Sequence, residues 1–124
     1  MKKTTTLLAT LMLLCTTLSA QVIDVHMHSY TEKNFWVGTA RNGFASSETA
    51  LKTMEETIQQ MNKNNIQYAV VCGSLESLEK YTKADKRFIP GYQDYEDKLI
   101  PIHQFEALIK SGKIKVFGEV MAVY

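Results

Sequence analysis

Two histidines, His26 and His28, stand two residues apart in the stretch VIDVHMHSY, and Asp24 stands two residues before them. In an extended segment residues i and i+2 share a face, with Cα atoms roughly 6–7 Å apart. Two imidazoles at that spacing converge on one metal ion, with metal–nitrogen bonds of about 2.0–2.1 Å for zinc. Asp24, one step deeper on the same face, is placed to orient an imidazole by accepting its other N–H. A catalytic metal site usually takes three protein ligands and keeps one position for water. The further ligand on offer is Glu119 in VFGEV, a carboxylate on an otherwise apolar run. Such a group costs free energy there unless it is paired or metal-bound. Gly118 before it leaves room for close approach. The competing reading is two incidental histidines at a strand end and a salt-bridged glutamate at a strand rim. His103 follows Pro101 near a helix start and is expected on the outer layer. Cys72 is expected to be a small buried packing residue, because no histidine stands beside it in sequence.

These residues need a scaffold that gathers them. VIDVHMH alternates tightly and reads as a strand, with Ile23, Val25 and Met27 on one face and Asp24, His26 and His28 on the other. A polar loop over residues 29–47 follows, and Ser46 or Ser47 is expected to cap the next helix, with Glu48 near its positive end. Residues 48–65 form the clearest helix, whose Leu51, Met54, Ile58 and Met61 make a packing stripe that Asn64-Asn65 ends. IQYAVVCGS reads as a nearly all-apolar strand of the kind covered on both faces. A short helix over residues 75–82, a strand in RFIPGYQ, and a loop or single turn over residues 94–99 come next. Residues 101–112 form a helix with Pro101 in its first turn and Gly112 at its stop. KIKVFGEV is a fourth strand.

The order β-α-β-α-β-α-β implies an α/β fold with a parallel sheet. It fits a doubly wound sheet or part of a (β/α) barrel, and both gather function at the carboxyl ends of strands. No Gly-rich phosphate loop follows the first strand, which argues against a dinucleotide fold.

The ends of the 124-residue chain carry their own signals. Residues 1–20 run from a basic start, MKK, through the apolar LLATLMLLC to the small-residue TTLSA. That order predicts a signal peptide, cleaved after Ala20, and an exported, periplasmic or secreted domain over residues 21–124. Lipid anchoring through Cys15 is disfavoured because Leu14, not a small residue, precedes it. The mature chain would keep Cys72 alone, which excludes an internal disulfide. A net charge of +1 with no basic stripe gives no sign of nucleic-acid binding or of electrostatic membrane binding. The chain stops on a β-rich apolar run, KIKVFGEVMAVY, so a fragment of a longer protein is expected.

IDVHMH, the βα series after it and VFGEV together resemble the N-terminal half of the amidohydrolase superfamily, in particular amidohydrolase family 2, metal-dependent hydrolases with a (β/α)8 TIM-barrel fold. The resemblance implies that His26 and His28 are the metal-binding pair after strand one and that Glu119 is the carboxylate after strand four. It implies a divalent metal, zinc first, with manganese, iron or nickel also compatible. It further implies a small-molecule amide, ester or lactone as substrate, with decarboxylation also represented in the superfamily. The family's two later histidines and its general-base aspartate would lie beyond Tyr124, so the 124 residues alone are expected to be inactive. Trp36 and Arg41, in the loop after strand one, are substrate-facing candidates, Arg41 for a carboxylate. Two alternatives stand beside this. One is a phosphoesterase of the polymerase-and-histidinol-phosphatase type, whose first strand also ends D-x-H-x-H. The other is a non-catalytic exported fragment.

Overall fold

The computed structural model describes residues 21–93 and 100–118. Residues 1–20, where a signal peptide is expected, the expected loop over residues 94–99 and Glu119 lie outside the described residues. The elements are β1 (Val22–His28), α1 (Ala50–Lys63), β2 (Ile66–Gly73), α2 (Leu75–Ala84), β3 (Phe88–Tyr92), α3 (Ile102–Lys110) and β4 (Val116–Phe117). All strand pairs are parallel and the order is β1-β2-β3-β4. A doubly wound sheet reverses its strand order partway across; this sheet does not. Right-handed crossovers then put all three helices on one face, and the strands form a curled half-barrel.

The covered face holds the core. Met61 from α1 and Leu78 and Tyr81 from α2 pack on Ala69, Val71, Phe88 and Tyr92, with Ile114 beneath β4. The other face is different. Ile23 and Tyr68, in register with one another, are 52% and 48% exposed. The expectation that β2 is covered on both faces therefore fails at Tyr68, while Val70 is half-buried and Cys72 buried on that same face; the described helices lie on the other side.

Local chemistry explains the helix ends. The cap of α1 is Thr49, whose Oγ1 accepts from the Lys52 amide at 3.1 Å, and not Ser46 or Ser47. Those two are engaged elsewhere: Ser46 Oγ accepts from the Gly38 amide at 2.9 Å, and Ser47 Oγ donates to Glu56. Glu32, from the preceding loop, accepts from the amides of Ala50 and Leu51 at 3.3 and 3.2 Å, a second cap at the positive helix end. The inward stripe runs Ala50, Met54, Ile58, Met61, while Leu51 is 57% exposed. Leu51 sits about 100° round the helix from Ala50, so only one of the two can face the sheet. Asn64 closes the helix and Asn65 turns it with φ 53°.

Gly112, at φ 72°, ends α3 as its place in the sequence implies. The amides of Lys113 and Ile114 then donate back to the Leu108 carbonyl at 3.1 and 3.4 Å. Those two residues belong to the helix exit, which is why β4 begins at Val116 rather than Lys113. Among the described residues, no helix is long and apolar enough to cross a membrane.

Candidate metal centre

His26 Nε2 and His28 Nε2 lie 3.1 Å apart, and the rings meet edge to face with centroids at 4.9 Å. Two nitrogens bound tetrahedrally to one zinc ion at about 2.0–2.1 Å are separated by roughly 3.3 Å. The pair therefore fits two adjacent ligand positions on a single ion.

Simple alternation does not produce this pair. Asp24 is in register with Ala69, Met27 with Val71 and His28 with Cys72. Three steps along β1 thus oppose two along β2, the signature of a β-bulge. The bulge puts Asp24 on the parity of Met27, the helix-covered side, and His28 on the other. The expected shared face of Asp24, His26 and His28 is corrected accordingly. Asp24 Oδ1 accepts from the His26 backbone amide at 2.9 Å, so Asp24 shapes the bulge that turns the His26 ring toward His28.

A buried hydroxyl cluster fixes the end of β1. The Ser29 amide donates to the Cys72 carbonyl at 2.8 Å, and Ser29 Oγ reaches the same oxygen at 3.2 Å. Ser29 Oγ also lies 2.8 Å from Ser77 Oγ, and Ser77 Oγ donates to the Ser74 carbonyl at 2.9 Å. Ser74 caps α2. The residue after His28 is thereby tied both to β2 and to the first turn of α2. Sequence reading missed Ser29 and Ser77; the only local signal was Ser74 standing before a helix.

Beside the imidazoles stands an aromatic wall. The Tyr30 ring is 6.4 Å from His28, and Phe35 is 5.6 Å from Tyr30. Burial raises the Tyr30 phenol above its ordinary pKa. A cavity of about 380 Å³ opens along the β1 edge, lined by His28, Tyr30, Glu56 and Gln60 among others. Arg41 lies on a short hairpin closed by a Thr39–Ala45 bridge, and Trp36 lies in the loop just before it. Trp36 is 67% exposed, and Arg41 is exposed near the turn. An ideal Cβ on Gly38 would fall 2.0 Å from the tip of the Trp36 ring, so a larger residue there would displace the exposed indole.

The other sequence candidates separate clearly. His103 is exposed on α3, the outer layer. Cys72 is buried and its Sγ occupies space left by two glycines: an ideal Cβ would come within 2.9 Å of it from Gly91 and 2.8 Å from Gly118. Gly118 thus makes room for Cys72. Among the described residues, no group of three or more His, Cys, Asp or Glu side chains is placed to hold an ion.

The glycine contacts give a double-mutant test. At Gly91 the sulfur is the only contact under 3.4 Å, whereas at Gly118 the Tyr92 carbonyl oxygen is 2.7 Å away as well. Gly91→Ala is expected to lose about 2 kcal/mol by overpacking. Adding Cys72→Ala should recover about 1 kcal/mol of that as coupling. The same addition should leave Gly118→Ala unrescued. Urea unfolding of these four variants and of Cys72→Ala alone reads this out, and equal rescue at both glycines would contradict the geometry.

Comparison with protein-family models, with curated proteins and with solved structures finds no match to this chain.

Proposed function

We propose that this chain is half of a (β/α)8-type barrel that contributes two imidazole ligands to a metal-dependent hydrolase site, in the manner of the amidohydrolase superfamily. The observation that carries the reading is the 3.1 Å Nε2–Nε2 approach at the carboxyl end of the first parallel strand. That is where β/α folds place their chemistry. A divalent ion held there lowers the pKa of its bound water toward about 7 and polarises a substrate carbonyl.

The chain's own residues divide the remaining work. His26 and His28 donate through Nε2. Asp24 holds the bulge that aims His26, and the Ser29–Ser77 contact holds the backbone beneath His28. Tyr30 and Phe35 exclude water from one side of the pair. Trp36 and Arg41, in the loop after β1, are the candidates for substrate contact, Arg41 suited to a substrate carboxylate. The substrate class is a small amide, ester or lactone, cleaved at C–N or C–O. Glu119 and groups outside the described residues supply the rest of the coordination. Export through residues 1–20 belongs to the same proposal.

Metal affinity tests it. The chain is expected to bind Zn²⁺ with His26 and His28 as ligands. The His26→Ala, His28→Ala double variant should lose at least about 100-fold in affinity, beyond the 10–100-fold typical of outer-shell partners. Its far-ultraviolet circular dichroism should be unchanged, because His26 is exposed and His28 is not in the core. Equal zinc content in both proteins would remove the ligand assignment.

A further inference from the structure

We propose that the groove between α2 and α3 binds a free alkyl carboxylate, its chain lying along the helices and its carboxylate among the lysines at their carboxyl ends. The groove is a cavity of about 480 Å³. Small-molecule sites span roughly 300–1,000 Å³. Its lining comes from α2, β3, α3 and the short segments that lead into β3 and β4. The gap originates with α3. That helix buries none of its residues, whereas α2 buries Ser77, Leu78 and Tyr81. Phe105 and Leu108 of α3 reach the core only half-buried. The two helices therefore do not close on one another, and the space between them stays open.

The groove is polarised along its length. Leu75, Leu78, Glu79, Thr82 and Lys83 recur three and four residues apart, so one face of α2 forms a wall. That wall begins with leucines and ends with Thr82 and Lys83. Phe88 and Pro90 of β3 form the floor, and Leu108 of α3 faces them. The cations gather at the other end. Lys83 lies in the last turn of α2, Lys86 just before β3, and Lys113 and Lys115 just before β4. One acid lines the groove, Glu79, and it is bound to Lys83 at 2.6 Å. Its carboxyl is held below its ordinary pKa by Lys83 first and then by Lys113. Among the described residues Lys86, Lys113 and Lys115 form no ion pair.

An apolar floor and a cationic mouth ask for an apolar body and an anionic head in one molecule. From Leu75 to Lys83 the helix rises about 12 Å. An extended alkyl chain follows that line and delivers its carboxylate to the lysines. The lysine stems lengthen the apolar walls while their ammonium groups stay in water. A carboxylate at that mouth takes charge-assisted hydrogen bonds and keeps much of its own hydration. A bilayer is the poorer match. Interfacial binding buries a protruding apolar face, and this floor is recessed, with Leu78 and Phe88 only 2% and 4% exposed.

Calorimetric titration of the chain with decanoate, kept below its micelle-forming concentration, decides it. The expected result is one decanoate per chain, bound at least about 10-fold more tightly than decanol, which has the same chain and no charge. The Lys113→Glu, Lys115→Glu double variant should weaken decanoate binding at least about 10-fold and leave decanol where it was. Thr82→Phe puts a ring into the groove and should weaken both ligands at least about 10-fold while the chain stays folded. Lys52→Glu makes one such charge reversal on α1 and should bind decanoate as the wild type does. The His26→Ala, His28→Ala double variant should do the same, so this site and the metal site succeed or fail separately. Decanoate binding that is absent, or that ignores both groove variants, overturns the site. Binding to phosphatidylglycerol vesicles with none to monomeric decanoate overturns it in favour of a membrane surface.

Discussion

Replacing Gly73 with alanine is expected to lower the unfolding free energy by about 3 kcal/mol, the upper part of the range for overpacking. In a domain of this size that corresponds to a fall of more than about 10 °C in Tm. An ideal Cβ at Gly73 would lie 2.1 Å from Ser29 Oγ, 2.7 Å from Ser77 Oγ and 2.8 Å from the Ser29 carbonyl oxygen. The two hydroxyls can rotate away, though both residues are fully buried. The carbonyl cannot, because the Ser29 amide is bound to the Cys72 carbonyl at 2.8 Å. Nor can Gly73 retreat, since its own carbonyl accepts from the Gln93 amide at 3.1 Å. Ser29→Gly should rescue only part of the loss, by removing the hydroxyl clash and not the carbonyl clash. Ser29→Ala alone removes a buried hydrogen bond and should cost about 1 kcal/mol. His28 directly precedes Ser29, so the Gly73 variant should also weaken zinc binding even at temperatures where it stays folded. Urea unfolding followed by circular dichroism measures the first effect, and a loss below about 1 kcal/mol would contradict it.

That prediction rests on a contact no local pattern announces. Ser29 and Ser77 are 48 residues apart, and each stands in an ordinary setting, one after a strand and one inside a helix. The elements themselves were legible, because period and punctuation are local. The Met54, Ile58, Met61 spacing, the apolar run of β2, Pro101 and Gly112 all act within a few residues of the structure they cause. Alternation in VIDVHMH correctly marked a strand but misplaced Asp24. A bulge adds one residue without requiring glycine or proline, and nothing in the residue types marks where the ladder slips. The cap of α1 failed for a related reason. Ser46 and Ser47 are good caps by type, but the hairpin over residues 38–46 and Glu56 had prior use of their hydroxyls. Glu32 acts from 18 residues away. At the candidate site, the spacing of His26 and His28 pointed to rings that meet, but by an alternation that the bulge at residues 24–27 replaces. It could not show that a backbone contact from Asp24, not an imidazole contact, accompanies it.

Arg87→Ala is expected to cost about 2 kcal/mol, well above an exposed ion pair and below a fully buried one. The Arg87 guanidinium binds both Asp85 oxygens, with Nη2 to Oδ2 at 2.6 Å, and donates to the Ile66 carbonyl at 3.1 Å and to Asn62 Oδ1 at 2.8 Å. One side chain thus joins the last turn of α1, the first residue of β2 and the turn before β3, the end of the sheet opposite the histidines. Its loss leaves Asp85 without a cation while that side chain is only 16% exposed. The pH dependence follows from the same contacts. Hydrogen bonds from Arg87 hold the Asp85 carboxyl below its ordinary pKa, against an opposing effect of burial. A depressed folded-state value stabilises the fold fully above the unfolded value of about 3.9, and that stability is lost as pH falls through the folded value. The wild type should therefore show an acid limb below about pH 4 that Arg87→Ala largely lacks, with the two stability curves converging at low pH. The Glu76–Lys80 and Glu79–Lys83 pairs provide the contrast. Their carboxylates are also held low by their lysine partners. They are exposed, and replacing either glutamate with glutamine should leave the unfolding midpoint at pH 7 in place. Unfolding free energies measured from pH 2 to 7 separate these cases, and an unchanged acid limb in Arg87→Ala would assign acid sensitivity to some other carboxylate.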